Sequence, residues 1–156
     1  MKGGSTLTES PYKNILVPVD GTKATPGVVD KAIQLAIINN AHLDILNVAQ
    51  INQITEGYAT LSDLSEGKTY EIVNIVAQRL QDIQKRAEKA GVKSASIHVR
   101  FGNPKTVIAR DFIRDHHNDL IVMGSSSLNR FERALIGSVT SYVIRLAPCD
   151  VVVVKQ

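Results

Sequence analysis

Asp119-Leu-Ile-Val-Met-Gly124 is an apolar run closed by glycine, and Gly137-Ser-Val-Thr-Ser-Tyr-Val-Ile-Arg-Leu146 follows it after a small polar segment that begins Gly124-Ser-Ser-Ser127. The first part reads as a buried strand and the second as a helix opened by Gly137-Ser138. A strand, a glycine- and serine-rich loop and a helix start make a plausible phosphate cradle. The first N–H groups of a helix have no partner within it, and the helix dipole favours an anion beside them. Small side chains let a phosphate come close to the main chain. The reading therefore starts from nucleotide binding.

The rest of the chain supplies the sheet that such a loop needs. Asn14-Ile-Leu-Val-Pro-Val19 is a short apolar strand ended by the turn signal Asp20-Gly21. A helix from about Thr25 to Asn40 carries Val29, Ala32, Ile33, Ala36 and Ile37 on one face, with Thr25-Pro26 at its start. His42 to Val48 is a second strand, and 49–66 is irregular, either a lid or partner surface or a plain surface loop. Lys68 to Ala90 is a long helix striped by Val73, Val76, Ala77, Leu80, Ile83, Ala87 and Ala90, with Gly91 where a left-handed cap is wanted. Ser96 to Phe101, Leu120 to Met123 and Asp150 to Lys155 are further strands. Helices at 105–116 and 138–146 separate them, the first entered through Gly102-Asn-Pro104 and facing inward with Ile108, Ala109, Phe112 and Ile113. Strands alternating with helices predict an α/β fold, a parallel sheet covered by helices on both faces. Residues 1–11 read as a loose leader and 12–156 as one domain.

Composition narrows the function. The 156 residues are 44% apolar and 21% charged, which suits one globular domain. A net charge of +3 with scattered Lys and Arg, four Tyr, three Phe and no Trp gives neither a basic patch nor a base-stacking platform, so nucleic acid is not an expected partner. No apolar run reaches the roughly 20 residues of a membrane span, and the first ten residues lack the apolar core of a signal peptide. The single Cys149 rules out an intrachain disulfide and reads as a buried thiol beside the last strand, or else as a reactive or intermolecular one. A cytoplasmic location is expected.

In an open α/β sheet, ligands sit beyond the carboxyl ends of the strands where the strand order reverses. If the first and fourth strands are neighbours, Asp20 and the Gly124 loop share one crevice and Asn47-Val48-Ala49 forms its far wall. Neither Gly-x-x-x-x-Gly-Lys-[Ser/Thr] nor Gly-x-Gly-x-x-Gly is present. Asp20 would either bond a ribose or an ion-bound water, or merely turn the chain. Ser138 would bond a phosphate, cap its helix, or do both. Arg130 and Arg133 either reach phosphate oxygens or stand as exposed charges. His116-His117 suits the negative end of a helix. His42 and His98 show no neighbouring Cys or carboxylate cluster in the sequence, so no metal site is expected. No catalytic triad order, nucleophile elbow or carboxylate pair is visible, so the chain is expected to be no enzyme beyond slow ATP hydrolysis or self-phosphorylation.

The spacing Gly-x-x-Gly, nine residues, Gly-[Ser/Thr] after a strand ending Val-Met-Gly resembles the nucleotide motif of the universal stress protein family. Ile15-Leu-Val-Pro-Val-Asp20, Leu46-Asn-Val48, Gly102-Asn-Pro104 and Ala147-Pro-Cys-Asp-Val-Val-Val-Val154 extend the resemblance over nearly all of 11–155. It implies a Rossmann-like five-stranded sheet of order 3-2-1-4-5 binding ATP with Mg²⁺, the ion held mainly by the phosphates. Pro18 and Asp20, with Val19 between them, would line the adenosine, and the backbone of Val48 would meet adenine. Met123 and Gly124 would start the phosphate loop, Ser126, Ser127 and Arg130 would lie along it, and Gly137, Ser138 and Val139 would hold the phosphates. Ser127 stands where the motif has its second glycine. A left-handed backbone there costs a non-glycine residue about 1–2 kcal/mol, up to about tenfold in affinity. The resemblance also implies a homodimer through the last strand, and Val151–Val154 reads as a long apolar sheet edge that invites pairing. The expected role is a nucleotide-responsive stress-survival module, with a nucleotide-independent dimeric interaction protein as the alternative.

Overall fold

Strands buried on both faces should be apolar at every position, and β1 (Asn14–Pro18) shows why. In the computed structural model, which describes residues 12–22, 25–50, 66–125 and 136–155, Ile15 and Val17 enter one core while Leu16 between them enters another. β4 (Leu120–Gly124) repeats the pattern, Leu120 and Val122 on one side, Ile121 and Met123 on the other. The first core lies against α1 (Thr25–Asn39) and α2 (Glu66–Ala90). The second lies against a π-helical stretch Val107–Asp111, entered through the short α3 (Pro104–Thr106), and against α4 (Phe112–His116) and α5 (Ser138–Leu146). Fully burying one such side chain as Phe112 or Leu43 contributes about 1.5–3 kcal/mol.

With β2 (His42–Ala49), β3 (Ala95–Phe101) and β5 (Asp150–Val154), the five strands form one parallel sheet in the order β3-β2-β1-β4-β5, as the family resemblance implied. β1 is central, pairing Ile15 with Leu43 on one side and with Leu120 on the other. The strand order therefore reverses between β1 and β4, which places their carboxyl ends side by side.

Local signals set most of the boundaries. Asn40, at a φ of 51°, and Gly91, at 119°, stop α1 and α2 in the left-handed region. The Asn103 side chain accepts from the Lys105 N–H at 3.0 Å and caps α3. Three expectations change. Ile37, placed on the buried face of α1, is 43% exposed, and Ala90 on the α2 stripe is exposed as well. Both sit in the last turn of their helix, where the sheet no longer covers the face. Thr25, read as a cap, is the first residue of α1, and its hydroxyl turns instead to Asp20. The helix expected over 105–116 contains a π-helical turn in which the Phe112 N–H reaches back to the Val107 carbonyl. This widened turn sets Val107, Ile108, Ala109, Phe112 and Ile113 all in the core. The leader 1–11 and positions 51–65 of the irregular connection lie outside the described residues.

Candidate functional site

The crevice at the carboxyl ends of β1, β2 and β4 is built by backbone ties. The Val19 N–H donates to the Leu46 carbonyl at 2.8 Å, and Asn47 Nδ2 donates to the Val19 carbonyl at 2.9 Å. These bonds hold the end of β1 against β2 past Pro18, which has no N–H to give. Val19 is buried, while Asp20 emerges into solvent. Gly21 at a φ of 78° then swings the chain away from the sheet. The Asp20 Oδ1 accepts from the Thr22 N–H at 2.9 Å and from the Thr25 hydroxyl at 3.2 Å. Asp20 thus turns the chain, and the residue is exposed at the carboxyl end of β1. Val48 is half-buried on the far wall, packed against the second core.

Across the crevice, Met123 is buried and Gly124 is confined. A Cβ on Gly124 would come within 3.3 Å of Val28 Cγ2, so Val28 of α1 would have to give by a few tenths of an ångström to admit a side chain there. The Gly124 carbonyl accepts from the Thr140 hydroxyl at 2.8 Å, and the Ser125 carbonyl accepts from the Gly137 N–H at 2.8 Å. The two ends of the β4–α5 connection are therefore clamped together. Gly137 caps α5 with extended backbone and offers no side-chain bond, and no acidic residue occupies the first turn. Intrahelical bonding starts only with Ser141 N–H to the Gly137 carbonyl at 2.9 Å, which leaves the N–H groups of Ser138, Val139 and Thr140 outside it. An uncapped helix start beside a strand end is suited to an anion.

Pro18, Val19 and Asp20 thus lie at the carboxyl end of β1 and Val48 near that of β2, while Met123 and Gly124 end β4 and Gly137, Ser138 and Val139 open α5. Ser126, Ser127, Arg130 and Arg133 lie outside the described residues. Sequence reading passed over Thr140, and it gave Thr25 and Asn47 other roles, a helix cap and part of the far wall. Each is a short polar residue bonding one strand end or turn of the crevice, and the nearest signal was Thr140 two positions after Gly-Ser in an otherwise apolar helix start.

One expectation is corrected. His42 and His98 do have a carboxylate beside them, Asp44, which is 3% exposed. His98 Nε2 lies 2.8 Å and His42 Nε2 3.1 Å from Asp44 Oδ1, and Asn118 Nδ2 donates to Asp44 Oδ2 at 2.9 Å. Burial alone would raise the Asp44 carboxyl, but the bonds from His98 and Asn118 and the positive field of the two imidazoles hold it below the ordinary carboxylate value. The partners at 98 and 118 reach Asp44 only through the β2–β3 pairing and the entry to β4, so no local spacing announces them. The visible signal was a lone Asp inside Leu43-Asp-Ile-Leu46.

The comparisons with known proteins agree with this architecture. The family model described as the universal stress protein family matches residues 11–155. A Staphylococcus epidermidis protein named as a universal stress protein is 36% identical over 144 residues, covering 92% of this chain and 84% of its own length. Among solved structures, the universal stress protein UspA from Lactobacillus plantarum superposes with a TM-score of 0.71 at 30% identity, covering 92% of this chain and 98% of that one. Two more distant structures share the fold. A universal stress protein in complex with cAMP has a TM-score of 0.67 at 24% identity, over 92% and 97% of the two chains. The Archaeoglobus fulgidus protein in complex with dAMP has 0.65 at 20%, over 92% and 98%. With the sheet order, the crevice and a family match that spans nearly every residue, this chain belongs to the universal stress protein family.

Proposed function

We propose that this protein binds ATP with Mg²⁺ in the crevice between β1 and β4, and acts as a cytoplasmic nucleotide-responsive stress protein rather than a fast enzyme. The carrying observation is the uncapped start of α5 set against the end of β4, with its first N–H groups outside the helix's own bonding. Adenine nucleotides bound to two proteins of the same fold support the base preference. In this reading Val48 and Pro18 flank the adenosine, Asp20 meets the ribose, and Gly124, Ser126, Ser127 and Arg130 follow the phosphates to Gly137, Ser138 and Val139. Mg²⁺ is held by the phosphates themselves. The crevice has no evident general base among the described residues, so any hydrolysis is slow.

Among the described residues β5 pairs only with β4 and forms one edge of the sheet. Its Val151–Val154 backbone is proposed to pair with the same strand of a second copy, giving a homodimer. The test of the nucleotide reading is direct. Protein purified from cells is extracted with acid and any released nucleotide identified by mass, and melting is followed with Mg·ATP, Mg·GTP and AMP. Carried-through ATP, or a melting shift with Mg·ATP above that with Mg·GTP, supports the reading. The second reading, a nucleotide-independent interaction protein, is favoured by Ser127 in place of the motif glycine. It predicts no released nucleotide and no shift with any of the three, while light scattering still gives the mass of a dimer.

A further inference from the structure

We propose that Asp44, His98 and His116 form a binding site for one divalent d-block cation, with Zn²⁺ as the fitting occupant, on the sheet face covered by α4. One ligand atom from each of the three lies within 4.8 Å of the other two. Two imidazoles and a carboxylate form a donor set that suits zinc, and three protein ligands would leave a fourth position for water.

The placement follows from the fold. Leu43 and Ile45 point into the core under α1 and α2, so Asp44 between them points to the opposite face. There His98 of β3 stands edge-on to Phe112, with ring centroids 4.9 Å apart, and edge-on to His116, at 4.7 Å. His116 in turn stacks on Phe112 at 4.1 Å. The Phe112 ring thus fixes both imidazoles beside a buried carboxylate. Zinc ligands at about 2.0–2.2 Å from the ion stand about 3.3–3.6 Å apart at tetrahedral angles. The 2.8 Å between His98 Nε2 and Asp44 Oδ1 would open by several tenths of an ångström to admit the ion, and the His116 ligand atom, within 4.8 Å of both, would move in toward it.

A second observation points the same way. Asn118, 4% exposed, touches Asp44 through Nδ2, yet its Oδ1 is buried and without a hydrogen-bond partner among the described residues. A buried acceptor left unpaired costs about 1–3 kcal/mol. A cation beside Asp44, or a water bound to it, would supply what Oδ1 lacks. Two groups of the described residues could oppose the cation: His42, when protonated, whose Nε2 lies 3.1 Å from Asp44 Oδ1, and Arg100, whose Nη2 lies 3.4 Å from His116 Nε2. Arg100 is also paired with Asp115 at 2.9 Å, so it can release His116 without losing its counter-charge.

The site needs no nucleotide, so its test is independent of the proposed function. Chelator-treated protein is titrated with Co²⁺, whose visible d–d absorption reports a low-coordinate nitrogen and oxygen site, and then with Zn²⁺. One Co²⁺ per chain, displaced by one Zn²⁺, is expected. His98→Gln and His116→Gln should each weaken Zn²⁺ binding at least about 100-fold, while His117→Gln leaves it unchanged. Asp44→Asn should abolish it. His116 is only half-buried and ends its helix, so His116→Gln keeps the test valid if a more buried variant misfolds. Arg100→Gln should tighten binding several-fold by removing a cation. Absence of Co²⁺ binding to the native protein, binding that survives His116→Gln, or weaker binding in Arg100→Gln would overturn the site.

Discussion

Gly137 donates its N–H to the carbonyl of Ser125 at 2.8 Å, so the residue after β4 and the residue before α5 are held together. The clamp sets the first turn of α5 beside the end of β4. A second bond, from the Thr140 hydroxyl to the Gly124 carbonyl at 2.8 Å, locks the same corner from within the helix.

Thr140 is 4% exposed, and Thr140→Val keeps its shape while leaving the Gly124 carbonyl without that donor. A loss of about 1–3 kcal/mol is expected, read as a lower urea midpoint at unchanged slope. Thr140→Ser should recover most of it. A Thr140→Val protein as stable as the native one would show that the corner is held by other contacts.

Gly124→Val should be worse than an ordinary surface change. Its Cβ would stand 3.3 Å from Val28 Cγ2 on α1, with two further methyls to place. Overpacking of this kind costs about 1–3 kcal/mol. Differential scanning calorimetry of the variant checks it, and an unshifted transition would contradict the close approach of α1 to β4.

Asp44 sets a limit on acid stability. Its carboxyl titrates below the ordinary value in the fold, so the stabilisation is present at neutral pH and is lost as pH falls through the depressed value. Unfolding free energy should fall steeply below about pH 4, the ordinary carboxylate range. Asp44→Asn, measured in metal-free buffer, should be less stable at pH 7 and should flatten that acid limb. An acid limb of unchanged steepness in the variant would assign it to other carboxylates.

Cys149 is half-buried, and burial, then the nearby Asp119 and Asp150 carboxylates, push its thiol up to about 11. Only the thiolate reacts with alkylating agents. Labelling by iodoacetamide at pH 7.5 should be far slower than for a free thiol and should accelerate toward pH 10. Rapid labelling at neutral pH would contradict the burial.

The sheet was legible because its central strands are short runs, Ile15-Leu-Val17 and Leu120-Ile-Val-Met123, apolar at every position, as strands covered on both faces are. Helix ends were legible where a residue must adopt the left-handed region, as at Asn40 and Gly91. The π-helical turn before Phe112 was not, since nothing in Val107-Ile-Ala-Arg-Asp111 distinguishes it from ordinary helix. The places of Pro18 and Gly124 at strand ends and of Gly137 at a helix start were legible in the sequence. The side chains that fasten them, Thr25, Asn47 and Thr140, were not, because each acts on a residue brought near by folding. Asp44 is the extreme case, with contacts to residues 54 and 74 positions away.

The central claim is that the main-chain amides at the start of α5 grip the phosphates of ATP, and calorimetric titration of the native protein and Gly137→Val with Mg·ATP tests it most directly. Gly137 has a φ of −60° and ψ of 156°, which any residue adopts, so the variant should fold normally while its side chain obstructs the approach to the helix start. The account predicts saturable binding of one Mg·ATP per native chain and a loss of at least about tenfold in affinity, about 1.4 kcal/mol, in the variant. Equal affinity in the two proteins, or no heat of binding from the native one, would contradict it.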